Sequence, residues 1–275
     1  MSITFVTAFF DIGRKTDDPS NKFENYFERI NALLKIPINL YFFTTQDMHD
    51  KLVYEPRPNL KFMIVEAIPY FDRLPQVEQI WKTYITDNPT KDTPQFVCFT
   101  HAKFQFVKRA IEANPFDSTH YAWIDAGLFK VATHGERLPQ LTTPNKIKLM
   151  VLHYIGKNEV LDPNFILTCR YKIAGGLWIG PKDLMLRFID LMIEVVETDL
   201  AQNRLGLEQE YMAIIYRRHP DLFDPYYGTF ADLILNYERC ERSHHLANNV
   251  LFAAAQNSDP DELIRVARYL DKKPQ

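Results

Sequence analysis

Apolar residues fill both parities of residues 3–10, where Phe5, Val6, Ala8, Phe9 and Phe10 are broken only by Thr4 and Thr7. A strand apolar on both faces lies between two layers, so 3–10 is expected as a central strand, closed by the polar turn Asp11-Ile12-Gly13-Arg14. Residues 23–34 change period: Phe23, Tyr26, Phe27, Ile30, Leu33 and Leu34 fall on one helical face. Apolar runs at 38–44 and 60–66 read as strands again. Strand, helix, strand in succession implies a largely parallel sheet flanked by helices, an α/β fold.

From 68 to 94 the pattern dissolves into a stretch punctuated by Pro69, Pro75, Pro89 and Pro94, expected as a loop region near a site, with one short helix at 76–85. A helix is predicted over 99–113, ending before Asn114-Pro115, and a strand over 121–124, closed by Asp125-Ala126-Gly127. Strands follow at 148–154, 165–171 and 173–180, then helices at 184–196, 209–218 and 261–270. Without a linker or repeat, 1–275 reads as a single domain, with a nucleotide-sugar half (about 1–130), an acceptor half (about 131–240) and a C-terminal helical segment (about 241–275).

Composition narrows the possibilities. Of the 275 residues 46% are hydrophobic, with 20 Phe and 14 Tyr, enough for a large packed core. The 32 basic residues against 35 acidic give a formal charge of -3, which disfavours nucleic acid as a partner. Cys98, Cys169 and Cys240 have no CxxC spacing, arguing against a zinc site and for a reducing, cytoplasmic setting. No window reaches the apolar length of a membrane span, which leaves at most peripheral membrane contact.

Four clusters are candidates for chemistry. Asp125 follows a strand and precedes two small residues; it either caps a turn or holds a cation or sugar hydroxyl at the ligand-collecting end of the sheet. Asp11 suits a hydroxyl or base edge, and Arg14 a phosphate, across the end of the first strand. Gly175-Gly176 suggests close backbone approach and positive φ, with Trp178 as a sugar-stacking face or a core residue. Glu208 and Gln209 open a helix, Glu208 as a general base for an acceptor hydroxyl and Gln209 as a contact to the donor sugar, unless the acids only favour the helix dipole. GxGxxG, Walker, GxSxG and HExxH patterns are missing from the sequence, which weakens dehydrogenase, kinase and several hydrolase readings.

The segments Phe5-Val6-Thr7-Ala8-Phe9-Phe10-Asp11-Ile12-Gly13-Arg14, Ala113-Asn114-Pro115-Phe116 and Tyr121-Ala122-Trp123-Ile124-Asp125-Ala126-Gly127 resemble the HtrL/YibB family of bacterial and viral proteins, for which glycosyltransferase activity is expected. Gly175 to Gly180, Glu208-Gln209 and the stretch 227–237 add to the likeness. The resemblance implies a GT-A-like, Rossmann-type fold and transfer of a hexosyl or pentosyl group from a nucleotide diphosphate sugar, UDP favoured, to a glycan or lipid-linked saccharide. The alternative is a non-catalytic nucleotide- or glycan-binding module. By the resemblance, Thr7, Ala8, Phe9 and Asp11 line the nucleotide, Arg14 or Lys103 meets phosphate, and Gly175, Gly176 and Trp178 border the sugar. Asp125 then holds Mn²⁺ or Mg²⁺. Since Trp123 stands where the first acid of an Asp-x-Asp pair belongs, either Asp125 alone does more or a second ligand comes from downstream, with His244 or His245 as the candidates.

Overall fold

The computed structural model describes residues 2–13, 23–84, 86, 88 and 91–272, apart from the side chains of Phe23 and Glu24. Seven strands form one sheet: β1 (Ile3–Phe9), β2 (Asn39–Thr44), β3 (Leu60–Ile64), β4 (His120–Ile124), β5 (Lys148–Val151), β6 (Ile173–Pro181) and β7 (Tyr226–Tyr227). Their order is β3-β2-β1-β4-β6-β5-β7. β6 pairs antiparallel with β4 and β5, and the other pairings are parallel. The expected largely parallel sheet is therefore present, with one reversed strand, β6, between β4 and β5.

Eight helices accompany it among the described residues: α1 (Phe23–Leu34), α2 (Gln46–His49), α3 (Leu74–Trp81), α4 (Pro94–Ala113), α5 (Lys182–Ala201), α6 (Glu208–Arg218), α7 (His244–Gln256) and α8 (Pro260–Leu270). None is long and apolar enough to cross a membrane. The buried core is continuous from Phe5 and Phe42 through Trp123 and Trp178 to Tyr227 and Tyr269.

α4 begins five residues before the expected start. Thr93 is extended and its hydroxyl accepts from the Phe96 N–H at 3.2 Å, while Pro94 occupies the first turn, where its missing N–H costs nothing. The proline read as loop punctuation is a helix start. Residues 165–171, expected as a strand, are instead a tight helical turn at Phe165–Leu167 leading into an irregular segment. Phe165 and Ile166 are buried, so the run is apolar because its side chains reach the core; its backbone closes locally, Phe165 N–H onto Asp162 O and Leu167 N–H onto Asn164 O.

The C-terminal pair α7 and α8 is tied to the body by a buried ionic cluster. Arg217 bonds Asp259 at 2.5 Å and Glu262 at 3.3 Å, and Glu262 also accepts from Tyr216 and Tyr227. Each charge in this cluster has a partner, the condition under which burial of ions is tolerated.

Candidate active site

Because β6 runs opposite to β4, with Ile124 paired to Leu177, the start of β6 lies beside the carboxyl end of β4. Asp125 N–H donates to Gly176 O at 2.9 Å there. A cavity of about 830 Å³ opens at this point. Its lining comes from the end of β1 (Ala8, Phe9) and the following Phe10, Asp11 and Ile12, from α4 (Phe96, Phe99, Lys103), and from Asp125 to Leu128 after β4. Gly176, the start of α6 (Glu208, Gln209) and the Gly228-Thr229-Phe230 turn close it.

At its floor Lys103 Nζ sits 3.0 Å from Asp125 Oδ1 and 3.0 Å from Glu208 Oε1, with the Gly175 carbonyl at 3.5 Å. Burial alone would pull the Lys103 pKa down, but the two carboxylates outweigh it and raise it above the ordinary lysine value. Burial likewise pushes Glu208 up, and Lys103 more than reverses this, holding the carboxyl below its usual range. Lys103 and Glu208 are thus each held in their charged form by the other. Asp125 Oδ1 also accepts from the Trp123 indole N–H at 2.7 Å.

Local sequence sets up this floor. His101, two residues before Lys103 on α4, bonds the Gly206 carbonyl at 2.9 Å through Nε2, the donor in that contact. Gly206 itself has no room for a side chain, since a Cβ would stand 2.0 Å from Ile166 O. These two contacts fix the loop that presents Glu208. At Gly175 a Cβ would fall 2.5 Å from Glu208 Oε1, so close approach explains the glycine. Positive φ does not: Gly13 is the glycine that adopts it among the described residues.

The structure brings together Ala8, Phe9, Asp11, Lys103, Asp125, Gly176, Glu208 and Gln209 around one cavity. Gly175 stands just behind, against Glu208. Arg14 lies outside the described residues. Thr7 is fully buried and not part of the lining: the cavity opens at the carboxyl end of β1, where Ala8 and Phe9 reach it, and Thr7 lies further back along the strand. Trp178 is a core residue: it is fully buried, stacked on Phe104 at 5.3 Å and edge-on to Phe188 at 5.7 Å. Lys103, expected at phosphate, is committed to two acids. His244 and His245 begin α7 as exposed residues and do not line the cavity, although Leu246 does.

Several lining residues carried no motif. Lys91 and Tyr171 meet as a cation over a ring at 5.5 Å, and Lys91 also lies 5.4 Å from the Phe96 ring centre. Asn88 and Lys91 belong to the proline-punctuated stretch and line the cavity. His153 and Thr229 are scattered in sequence and meet only in space. Partial desolvation, helped by the charge of Lys172, lowers the His153 pKa. Tyr26 from α1 stacks with Phe9 at 6.2 Å, giving the cavity an aromatic side.

The donor set does not suit a divalent metal. Asp125 Oδ1 is already shared between an ammonium and an indole N–H, so a dication would have Oδ2 alone and would face the Lys103 charge. Glu208 is held on the far side of that lysine. Among the described residues no three His, Cys, Asp or Glu side chains gather as a metal site, whereas Mg²⁺ and Mn²⁺ favour several oxygen donors.

A family model described as a bacterial protein of unknown function, HtrL_YibB, matches residues 76–239. Protein HtrL of Escherichia coli (strain K12) is 26% identical over 278 aligned positions, covering 89% of this chain and 94% of that protein. Among solved structures, apo mouse xyloside xylosyltransferase 1 aligns over 81% of this chain and 84% of its own, with 11% identity and a TM-score of 0.39, a likeness too distant to argue from.

Proposed function

The chain belongs to the HtrL/YibB family, and from its cavity we propose that it is a glycosyltransferase, moving a sugar from a nucleotide diphosphate sugar to a hydroxyl of a glycan or glycoconjugate. The observation that carries this reading is the polarity of the cavity. Its floor holds two carboxylates and one ammonium, and its rim carries Lys91 and Lys130 with the imidazole of His153. Its side is aromatic, through Phe9, Tyr26, Phe96 and Phe99. Hydroxyl donors suit the floor, an anion suits the lysines, and a flat base suits the rings. A nucleotide sugar has these three parts in one molecule. The volume, about 830 Å³, falls within the usual range of small-molecule sites, about 300–1,000 Å³. The position, outside the carboxyl ends of parallel strands, is where open α/β sheets collect ligands.

Asp11 is exposed beside the aromatic side, with Oδ1 accepting from the Gly13 N–H at 2.9 Å, and is suited to a ribose hydroxyl. Glu208 serves best as the anchor of Lys103. A carboxylate held below its ordinary range is a poor proton acceptor at neutral pH, so it is an unfavourable general base.

A thermal-shift screen over UDP- and GDP-sugars tests the reading, because a ligand bound by the folded state raises its melting temperature. A shift with at least one of them, accompanied by slow release of the nucleoside diphosphate, is expected. If none shifts the transition, the reading is lost. The engagement of Glu208 with Lys103 favours a second possibility, a binding module of the same fold, which predicts the shift without the release.

A further inference from the structure

We propose that Asp125 and Gln209 form a clamp for hydroxyls of the donor sugar, and that the site engages its donor without a divalent metal. The clamp deepens the nucleotide-sugar reading and rests on it. Three observations lead here.

Asp125 is split between two tasks. Oδ1 is saturated by Lys103 and Trp123, while Oδ2 makes no hydrogen bond to a described residue and lies beside Gly176, where a Cβ would come within 3.4 Å of it. The missing side chain at Gly176 keeps that oxygen open to the cavity. Its carboxylate is 38% exposed, whereas its partner lysine is 4% exposed, so Oδ2 is the accessible end of an otherwise buried ionic group.

Gln209 supplies a second acceptor. Its side-chain oxygen is buried without a hydrogen-bond partner, although the residue lines the cavity. A buried acceptor without a donor is costly unless a ligand satisfies it. Asp125 Oδ2 and Gln209 Oε1 are both acceptors, and the group that answers both is a polyol, which donates from neighbouring hydroxyls.

The charges agree. Asp125, Lys103 and Glu208 sum to one negative charge, which attracts hydroxyl donors and repels phosphate. The lysines that line the same cavity without belonging to this trio, Lys91 and Lys130, are the groups suited to the diphosphate. Lys103 therefore stands between the two acids and offsets one of their two charges.

Calorimetric titration separates the two roles of Asp125. UDP and UDP-glucose, with GDP and GDP-mannose in parallel, are titrated into the wild-type chain and into Asp125→Asn and Gln209→Leu, in EDTA and in Mn²⁺. Asp125→Asn is nearly isosteric and keeps an acceptor for Trp123, and melting curves confirm that it folds. The expected result is nucleoside diphosphate binding that is equal in EDTA and Mn²⁺ and unchanged in both variants, within about threefold. Binding of the matching nucleotide sugar should weaken about tenfold or more in each. A nucleoside diphosphate that binds about tenfold tighter in Mn²⁺, with the gain lost in Asp125→Asn, overturns the clamp and leaves the nucleotide-sugar reading standing. If no nucleotide binds in either buffer, that reading falls and the clamp with it.

Discussion

Two lysines are buried to the same degree in this protein and meet opposite fates. Lys103 on α4 has 4% of its side chain exposed and Lys148 on β5 has 5%. Lys103 lies between Asp125 and Glu208 and is raised above the ordinary lysine value. Lys148 donates to the Tyr237 carbonyl and sits over the Tyr237 ring at 4.4 Å and the Tyr226 ring at 5.8 Å, with Glu238 no nearer than 4.0 Å. Burial, helped by the charge of Lys272, pulls it down to about 8. Aromatic faces and one carbonyl hold an ammonium in place, but only full charges restore its proton affinity. Two glutamates of α6 repeat the lesson with the sign reversed. Glu208 has its lysine and is held below the usual carboxylate range, while Glu210 accepts from the Arg170 backbone N–H, pairs with no cation among the described residues, and is pushed up to about 8 by burial.

The largest test removes the paired lysine. Lys103→Met strands Glu208 as an uncompensated buried charge, and urea unfolding at pH 7 should show a loss of about 3–5 kcal/mol. Adding Glu208→Gln should recover a good part of it. A loss under about 1 kcal/mol for the single variant would mean that the pairing is not what distinguishes the two lysines.

Next in size is Glu210→Gln. The folded protein holds this proton up to about pH 8, whereas a glutamate in the unfolded chain releases it near 4.5. Between those values the folded state binds more protons, so wild-type stability falls as pH rises through the window. The amide keeps an acceptor for the Arg170 N–H and removes that slope. Melting curves should show it stabilised by about 2 kcal/mol or more at pH 8 and little changed at pH 4.5.

Gly175→Ala probes the floor from the strand side. The new methyl would stand 2.5 Å from Glu208 Oε1, and that oxygen cannot retreat without loosening Lys103. A loss of about 1–3 kcal/mol is expected in urea. An unaffected midpoint would show the trio to be compliant.

Smallest is Lys148→Met, expected within about 1 kcal/mol of wild type at pH 7, because a similar volume of apolar side chain replaces a poorly compensated charge and one hydrogen bond is lost. Its signature is in alkali. The wild-type lysine loses its proton near 8 when folded and near 10.5 when unfolded, so the unfolded state binds more protons across that window and stability rises with pH. The variant should lose this rise, read as melting temperature against pH.

Much of the fold was legible along the chain. Residues 3–10 had to be central, since no strand with Phe5, Val6, Ala8 and Phe9 on its two faces is tolerated at a surface, and β1 has neighbours on both sides. Helix α1 carried its period in full view. By contrast α7 falls inside the expected C-terminal helical segment without a period of its own: its buried residues are Ala247, Val250 and Ala254, among exposed His244, His245 and Asn248, so its apolar face is too slight to register. The turn at Phe165–Leu167 misled for the opposite reason, since its apolar run reflects burial of side chains and not a ladder of backbone bonds.

The acid at the end of β4 was visible from the start, because a polar residue after a buried strand and before two small ones has few places to go. By itself the sequence determined the opening alternation of β1, α1, β2 and β3, the strand that ends at Asp125, and the small residues around it. Only the tertiary structure decided what Asp125 touches. Lys103 and Glu208 stand 105 positions apart, on two helices whose meeting depends on packing around the whole sheet, and no local period records a distance in space. The same separation explains Trp178, whose aromatic face suited a sugar equally well until Phe104 and Phe188 were found against it. Periodicity assigns a residue to a face, whereas the partner of a buried charge is chosen by the fold.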